Sequence, residues 1–179
     1  MILSFHPCLV TDRQIILGSR GLEPRDVDLM RRAKAILLPQ TCPESLYRAC
    51  EASGALLFPK YAWRFAYPGK VGQSRLFRSH GLPHPETCIW SSTEALRIGF
   101  RETTAFPHTL PFLVKTDTDH EGEGIRVIRN AKDLDAALDL LERGGRDRGR
   151  GFLTQEIVAT EGNVLRAVII GGEVLTYWK

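Results

Sequence analysis

Apolar positions recur in two different ways along this chain, and the change between them divides it. From Ile2 to Phe58, short apolar runs alternate with amphipathic segments. Ile2 to Leu9 reads as a first buried strand, and Gln14 to Leu17, closed by Gly18, as a shorter second one. Pro24 suits the first turn of a helix, where its missing N–H is not needed, and Val27, Leu29, Met30 and Ala33 follow near helical spacing. Ala35-Ile36-Leu37-Leu38 is apolar on both faces, as strands of parallel sheets are. Pro43 opens a helix carrying Leu46, Ala49 and Cys50, with Gly54 as its left-handed cap. Ala55 to Phe58 is the next strand, ended by Pro59. Strand, helix, strand, helix, strand predicts a small open α/β sheet.

Beyond Pro59 the pattern changes. Tyr61, Trp63, Phe65 and Tyr67 alternate as a strand would and read as a core or domain-interface stripe, with a substrate wall as the alternative. A helix is predicted from Gly69 or Lys70 to His80, capped by Gly81, with Val71, Leu76 and Phe77 inward. The segment Leu82-Pro83-His84-Pro85 is an extended connector, because each proline biases its neighbour away from helix. Thr87 to Trp90 is a strand, and Ser91-Ser92-Thr93-Glu94 fits a capping box before a helix with Ala95, Leu96 and Phe100. Phe112 to Ile128 reads as a hairpin with a long glycine-containing turn. Asn130 is a suitable N-cap for a helix with Leu134, Ala137, Leu138 and Leu141 on one face. Arg143 to Gly151, RGGRDRGRG, is a basic loop, and Phe152 to Val158 a strand. Val164 to Ile170 and Glu173 to Trp178 flank the turn Gly171-Gly172. The expected class is therefore α/β: a small parallel N-terminal domain over residues 1–66, then an α+β domain with antiparallel hairpins over residues 67–179.

Composition narrows the function. Hydrophobic residues at 43% and charged residues at 25% match a soluble globular protein. A net charge of +3, from 24 basic and 21 acidic side chains, is too small a bias to indicate nucleic acid or an anionic membrane as partner. No apolar run approaches the ~20 residues that span a bilayer, and the start MILSFHPCLV lacks a basic region and a cleavage site. Cys8, Cys42, Cys50 and Cys88 form no C-x-x-C pair and no metal-type spacing with the histidines. They read as reduced thiols, which points to a cytoplasmic protein with no cysteine–histidine metal site.

The chemistry concentrates between Pro111 and Ile128. Phe112-Leu113-Val114 ends on Lys115, and a turn containing Glu121-Gly122-Glu123-Gly124 follows. A lysine at the mouth of a strand beside such a loop can cover a polyphosphate. Loop amides donate to phosphate oxygens, glycine lets the backbone come close, and the ammonium neutralises charge. The plain alternative is a snorkelling lysine beside a glycine-rich hairpin. Neither G-x-x-x-x-G-K-[ST] nor a G-x-G-x-x-G after the first strand occurs. Asp117, Asp119, Glu121 and Glu123 also crowd the loop, and carboxylates repel phosphate unless they turn away or hold a metal.

The order of motifs extends the reading. Lys70 precedes Gly81-Leu82-Pro83-His84-Pro85, and Lys115 ends a strand before Gly122 and Gly124. Thr154-Gln155-Glu156-Ile157-Val158 supplies a [QE]-E-apolar-apolar element, and Val164-Leu165-Arg166 begins the last hairpin. This arrangement resembles the ATP-grasp superfamily, which includes glutathione synthetase, D-alanine–D-alanine ligase and the ligase that adds glutamates to a ribosomal protein. The resemblance spans Lys70 to Lys179, and the α/β region matches the pre-ATP-grasp domain that usually precedes it. It implies ATP and Mg2+ as cofactors. Lys70, Lys115 and the loop Glu121, Gly122, Glu123, Gly124 would hold the phosphates. Gln155, Glu156, Ile157 and Val158 would hold the adenine through backbone groups. Arg166 would orient the γ-phosphate or a substrate carboxylate. Glu161 is the nearest candidate for the ribose hydroxyls, because Val164 stands where an acid is usual, and Glu161 also reads as a simple turn residue.

The activity so implied is an ATP-dependent carboxylate–amine or carboxylate–thiol ligase with an acylphosphate intermediate. The family's metal ligands include an E-x-N motif late in the fold, and none follows Arg166. The expectation is therefore a chain truncated before its magnesium ligands, with turnover belonging to the full-length protein. The exposed half-sheet at its end could pair with another copy to give a homo-oligomer. Two other classes stay open: a nucleotide-binding or regulatory module without catalysis, and a nucleic-acid-binding protein using Arg143 to Arg150. His6-Pro7-Cys8 lies where open α/β sheets place ligands, and reads either as a substrate contact or as a satisfied histidine. His84 reads as structural, and His120 reads either as a phosphate contact or as solvated.

Overall fold

Leu3 and Ile36 lie side by side, fully buried, in a parallel strand pair around which the first half of the chain is built. The structure, a computed structural model, describes residues 1–101, 106–118, 124–143 and 151–179. Its chain divides into two compact units, Met1–Pro68 and Gly69–Lys179.

The first unit runs β1 (Ile2–Ser4), β2 (Arg13–Gln14), α1 (Pro24–Arg32), β3 (Ala35–Leu37), α2 (Glu44–Glu51), β4 (Leu56–Phe58) and α3 (Ala62–Ala66). Its four strands pair in parallel in the order β2-β1-β3-β4. Met30 of α1 and Leu46, Tyr47 and Cys50 of α2 close the core over Leu3, Phe5, Ile36 and Leu38. Burial pushes the Cys50 thiol up to about 12. The strand expected from Ile2 to Leu9 stops at Ser4, because the Ser4 hydroxyl accepts the His6 N–H at 3.1 Å and turns the chain. The start of α1 is held by the buried Asp26 carboxylate, which accepts the Glu23 N–H and pairs with Arg20 at 2.6 Å. That hydrogen bond to Arg20 holds the Asp26 carboxyl below its ordinary range.

The alternating aromatic stretch is not a strand, since Ala62–Ala66 forms a helical turn. The alternation hides pairs four residues apart, which is also helical spacing. Tyr61 and Phe65 both pack against Tyr47, while Trp63 and Tyr67 stack on each other.

The second unit contains α4 (Gly69–Ser79), β5 (Thr87–Trp90), α5 (Thr93–Arg101), β6 (Phe112–Thr116), β7 (Ile125–Ile128), α6 (Ala131–Arg143), β8 (Phe152–Glu156), β9 (Leu165–Ile170) and β10 (Glu173–Trp178). An antiparallel sheet in the order β5-β8-β6-β7 is its centre. Strand alternation gives that sheet two distinct faces. Phe112, Val114 and Phe152 face α5 and α6, where they form a core with Leu96, Ile128, Leu134 and Leu138. Each large side chain so buried contributes roughly 1.5–3 kcal/mol. Leu113, Lys115, Leu153 and Gln155 occupy the alternate positions on the other face, and α4 lies against β8.

Two caps set the helices that cover the core. Asn130 Oδ1 accepts the Asp133 N–H at 3.0 Å, as the N-cap reading expects. At α5 the cap is Ser92, whose Oγ accepts the Ala95 N–H at 3.1 Å, so it lies one residue later than the Ser91–Glu94 box. The hairpin β9–β10 forms a separate sheet turned by Gly171 at φ +61°, and every residue of both strands is exposed. Among the described residues, no helix is long and apolar enough to cross a membrane.

Candidate functional site

The site in the second unit is assembled by one long-range clamp. Asp117, just past β6 and 4% exposed, turns its carboxylate to the start of α4 and accepts the Val71 N–H at 2.8 Å. Its backbone carbonyl accepts the Lys70 N–H at 3.2 Å. These are donors that a helix N-terminus leaves without partners, and the carboxylate also complements the helix dipole. Gly69 is required at this join. Its φ is +68°, and a Cβ there would overlap the Asp117 carboxylate. The clamp thus ties the backbone beside Lys70 to the backbone beside Lys115.

Both lysines line one cleft of about 270 Å³. From α4 come Lys70, Gln73, Ser74 and Phe77, and from the sheet Thr87, Lys115, Leu153 and Gln155, with His84 and Pro85 at the connector. Lys115 Nζ donates to Gln155 Oε1. Gln155 Nε2 donates in turn to Thr87 Oγ1 at 2.8 Å, and the Thr87 hydroxyl to the Pro85 carbonyl at 2.7 Å. This relay fixes the Gln155 amide with its oxygen toward the ammonium. Burial first, and the neighbouring Lys70 charge second, push Lys115 below the ordinary lysine range. The cleft therefore holds a partly desolvated cation facing a second cation, an arrangement that an entering polyanion would relieve.

Of the residues singled out from the sequence, the fold brings Lys70, Lys115 and Gln155 together at this cleft. The Glu156 side chain instead accepts the Glu86 N–H at 2.8 Å. Ile157 and Val158 follow the end of β8 and are about half exposed, where the strand had been expected to continue. Glu161 sits in a left-handed turn at φ +51°, and Arg166 lies on β9 opposite Tyr177; neither lines the cleft. Gly124 is buried, and its carbonyl accepts the Thr116 N–H at 2.9 Å. Glu121, Gly122 and Glu123, with Asp119 and His120, lie outside the described residues, as does most of the basic loop. His84 Nδ1–H donates to the Leu82 carbonyl at 2.8 Å and its ring lies near Phe77. Among the described residues, no three His, Cys, Asp or Glu side chains are grouped to hold a metal ion. With two lysines among its described lining residues, the cleft is attractive to anions.

Sequence reasoning missed two residues. Asp117 was read as part of an acidic crowd around the loop, but its carboxylate is committed to α4. Nothing local marks Ser74, although it stands four residues after Lys70 and hence on the same helical face. The first unit has its own cleft of about 570 Å³, bordered by Phe5, Pro7, Leu17 and Thr41 beyond the ends of β1, β2 and β3. His6 does not line it, and its Nδ1 accepts the Cys8 N–H at 3.1 Å.

No family model and no curated protein matches the sequence. Solved structures do match the fold. The ADP complex of PurK, an N5-carboxyaminoimidazole ribonucleotide synthetase, aligns with 98% of this chain at 18% identity and a TM-score of 0.61. A RimK domain ATP-grasp protein from Sphaerobacter thermophilus aligns with 92% at 14% identity and a TM-score of 0.59. The biotin carboxylase domain of the Hydrogenobacter thermophilus 2-oxoglutarate carboxylase, solved with MgADP, ADP and bicarbonate, aligns with 82% at 23% identity and a TM-score of 0.53. The chain spans 45%, 67% and 35% of these three proteins, respectively. A parallel α/β sheet followed by antiparallel sheets, matched over nearly the whole chain, is the fold of the N-terminal part of ATP-grasp enzymes.

Proposed function

We propose that this chain is the ATP-binding part of an ATP-dependent carboxylate–amine or carboxylate–thiol ligase. The observation that carries the reading is the convergence of Lys70 and Lys115 on one cleft, with Lys115 partly buried and held by Gln155. Residues 1–66 are the pre-ATP-grasp domain on this reading, and residues 67–179 the ATP-grasp part. The ATP-grasp fold supports the ligase class, and two of the similar proteins were solved with ADP.

Lys70 and Lys115 would neutralise the phosphates, and preformed cations in a partly desolvated cleft stabilise charge better than water does. The segment Gln155 to Val158 would receive the adenine through its backbone, Glu161 the ribose, and the loop Glu121 to Gly124 would close over the phosphates. In the reaction, a substrate carboxylate oxygen bonds to the γ-phosphorus while the bond to ADP breaks. An amine or thiol then attacks the acyl carbon, phosphate leaves, and the nucleophile loses its proton. Arg166 would orient the γ-phosphate or the carboxylate. A nucleotide-binding module without turnover is the second reading, favoured by the position of Arg166 on an exposed hairpin away from the cleft.

Calorimetry with ATP and ADP tests the proposal. Wild type is expected to bind both, and Lys115→Ala to lose most of that affinity. Unchanged affinity in Lys115→Ala would remove the phosphate role. ADP release on addition of candidate carboxylates separates a ligase from a module that only binds.

A further inference from the structure

Helix α4 turns one face into the cleft, with side chains at the spacing i, i+3, i+4, i+7: Lys70, Gln73, Ser74 and Phe77. Ser74 differs from the others. It is only 6% exposed, and its hydroxyl has no hydrogen-bond partner. A serine within a helix commonly returns its O–H to the carbonyl one turn earlier, and this one does not. Burying a hydroxyl without a partner costs its full desolvation. Alanine would serve the helix better at this position. The hydroxyl gains no hydrogen bond in the folded chain, and Ser74 borders the cleft, from which a partner could arrive.

We infer that Ser74 contacts the ligand, and that its hydroxyl meets the nucleobase end of a nucleotide rather than its phosphates; this rests on the nucleotide reading of the cleft. The two lysines mark the phosphate end, close enough for the charge of Lys70 to disfavour protonation of Lys115. Ser74 lies about one helical turn, ~5.4 Å, along α4 from Lys70. The same lining carries Phe77, three residues further along α4, and Leu153, apolar groups suited to the faces of a flat ring. A hydroxyl both donates and accepts, so it can pair with either a ring nitrogen or an exocyclic amine on the base edge.

The test is calorimetry on the whole chain with ADP and with inorganic tripolyphosphate, using wild type, Ser74→Ala and Ser74→Val. Ser74→Ala is expected to weaken ADP about five- to tenfold and to leave tripolyphosphate within about twofold. Ser74→Val, which also fills part of the cleft, should weaken ADP further. A melting temperature of Ser74→Ala at or above wild type would show that the fold is intact. Equal ADP affinity in wild type and Ser74→Ala overturns the assignment. So does an equal loss for ADP and tripolyphosphate, which would move the hydroxyl to the phosphate end. If wild type binds neither ligand, the nucleotide reading itself fails, a distinct result.

Discussion

The Asp117 carboxylate accepts the Val71 N–H across 46 residues of sequence, so the end of one strand caps the start of a distant helix. Removing the carboxylate leaves the buried Val71 N–H at that helix terminus without a partner, while the Lys70 N–H keeps the Asp117 backbone carbonyl. Asp117→Ala should therefore cost about 1–2 kcal/mol, or a melting shift of about 3–6 °C. Asp117→Asn keeps an acceptor and should lose less. Because the clamp holds the backbone beside both lysines, Asp117→Ala should also weaken ADP binding at temperatures where it remains folded. Thermal melts and calorimetry on the same samples check both effects.

Lys115 should show opposed effects on binding and stability. Its charge is partly desolvated and faces Lys70, so the folded state binds the proton less tightly than the unfolded chain does. Lys115→Met should raise the melting temperature of the ligand-free protein while removing ADP binding. The sign with pH follows from the depressed folded value. The penalty is complete below that value and fades as pH climbs toward the ordinary lysine range. Wild type should therefore gain stability relative to Lys115→Met as the solution becomes alkaline. Denaturant midpoints of the two proteins across that range measure it.

His108 predicts an acid sensitivity. Its ring is 8% exposed, and its Nε2 meets the Thr154 hydroxyl at 2.9 Å, which also accepts from the Trp90 indole N–H. Its Nδ1 has no partner, and the ring packs against Phe106 and Phe112. Burial lowers its proton affinity, although Glu86 and Glu156 act the other way. The unfolded chain takes up the proton first on acidification, so stability should fall as pH drops below the ordinary histidine value of about 6.5. His108→Phe should flatten that part of the profile, and imidazole NMR titration of wild type should give a midpoint below that of a free histidine.

Amide exchange should divide the second unit. β6 and β8 carry Phe112, Val114, Phe152 and Leu153, all buried. β9 and β10 expose Ile169, Ile170, Val174 and Trp178 between 59% and 71%. An isolated two-stranded ribbon is marginal in water, and exposed ladders open first. Amides of Leu165 to Ile170 should exchange faster than those of Phe112 to Thr116. Comparable protection would mean that the hairpin is covered in solution.

Much of this architecture is written in local pattern. The doubly apolar run at Ala35 predicts a parallel strand, and Gly171-Gly172 predicts the last hairpin, because both depend on neighbours in sequence. Lys115 stands out because a cation closing an apolar run is anomalous by itself. The aromatic stretch misleads because residues spaced by two are also paired at a spacing of four. Asp117 is illegible for a different reason: its partner lies 46 residues away, and nothing local separates a capping carboxylate from a loop acid. Ser74 becomes noticeable only once burial shows that its hydroxyl is left over.

Among the described residues, the lining of the second unit's cleft includes two ammonium groups and no carboxylate. Such walls repel a bare divalent cation. Magnesium alone should therefore not occupy this cleft, and any metal that does must arrive already neutralised by the anion it accompanies. The same imbalance makes affinity for ADP fall as ionic strength rises, so the salt in the buffer sets the apparent strength of the site.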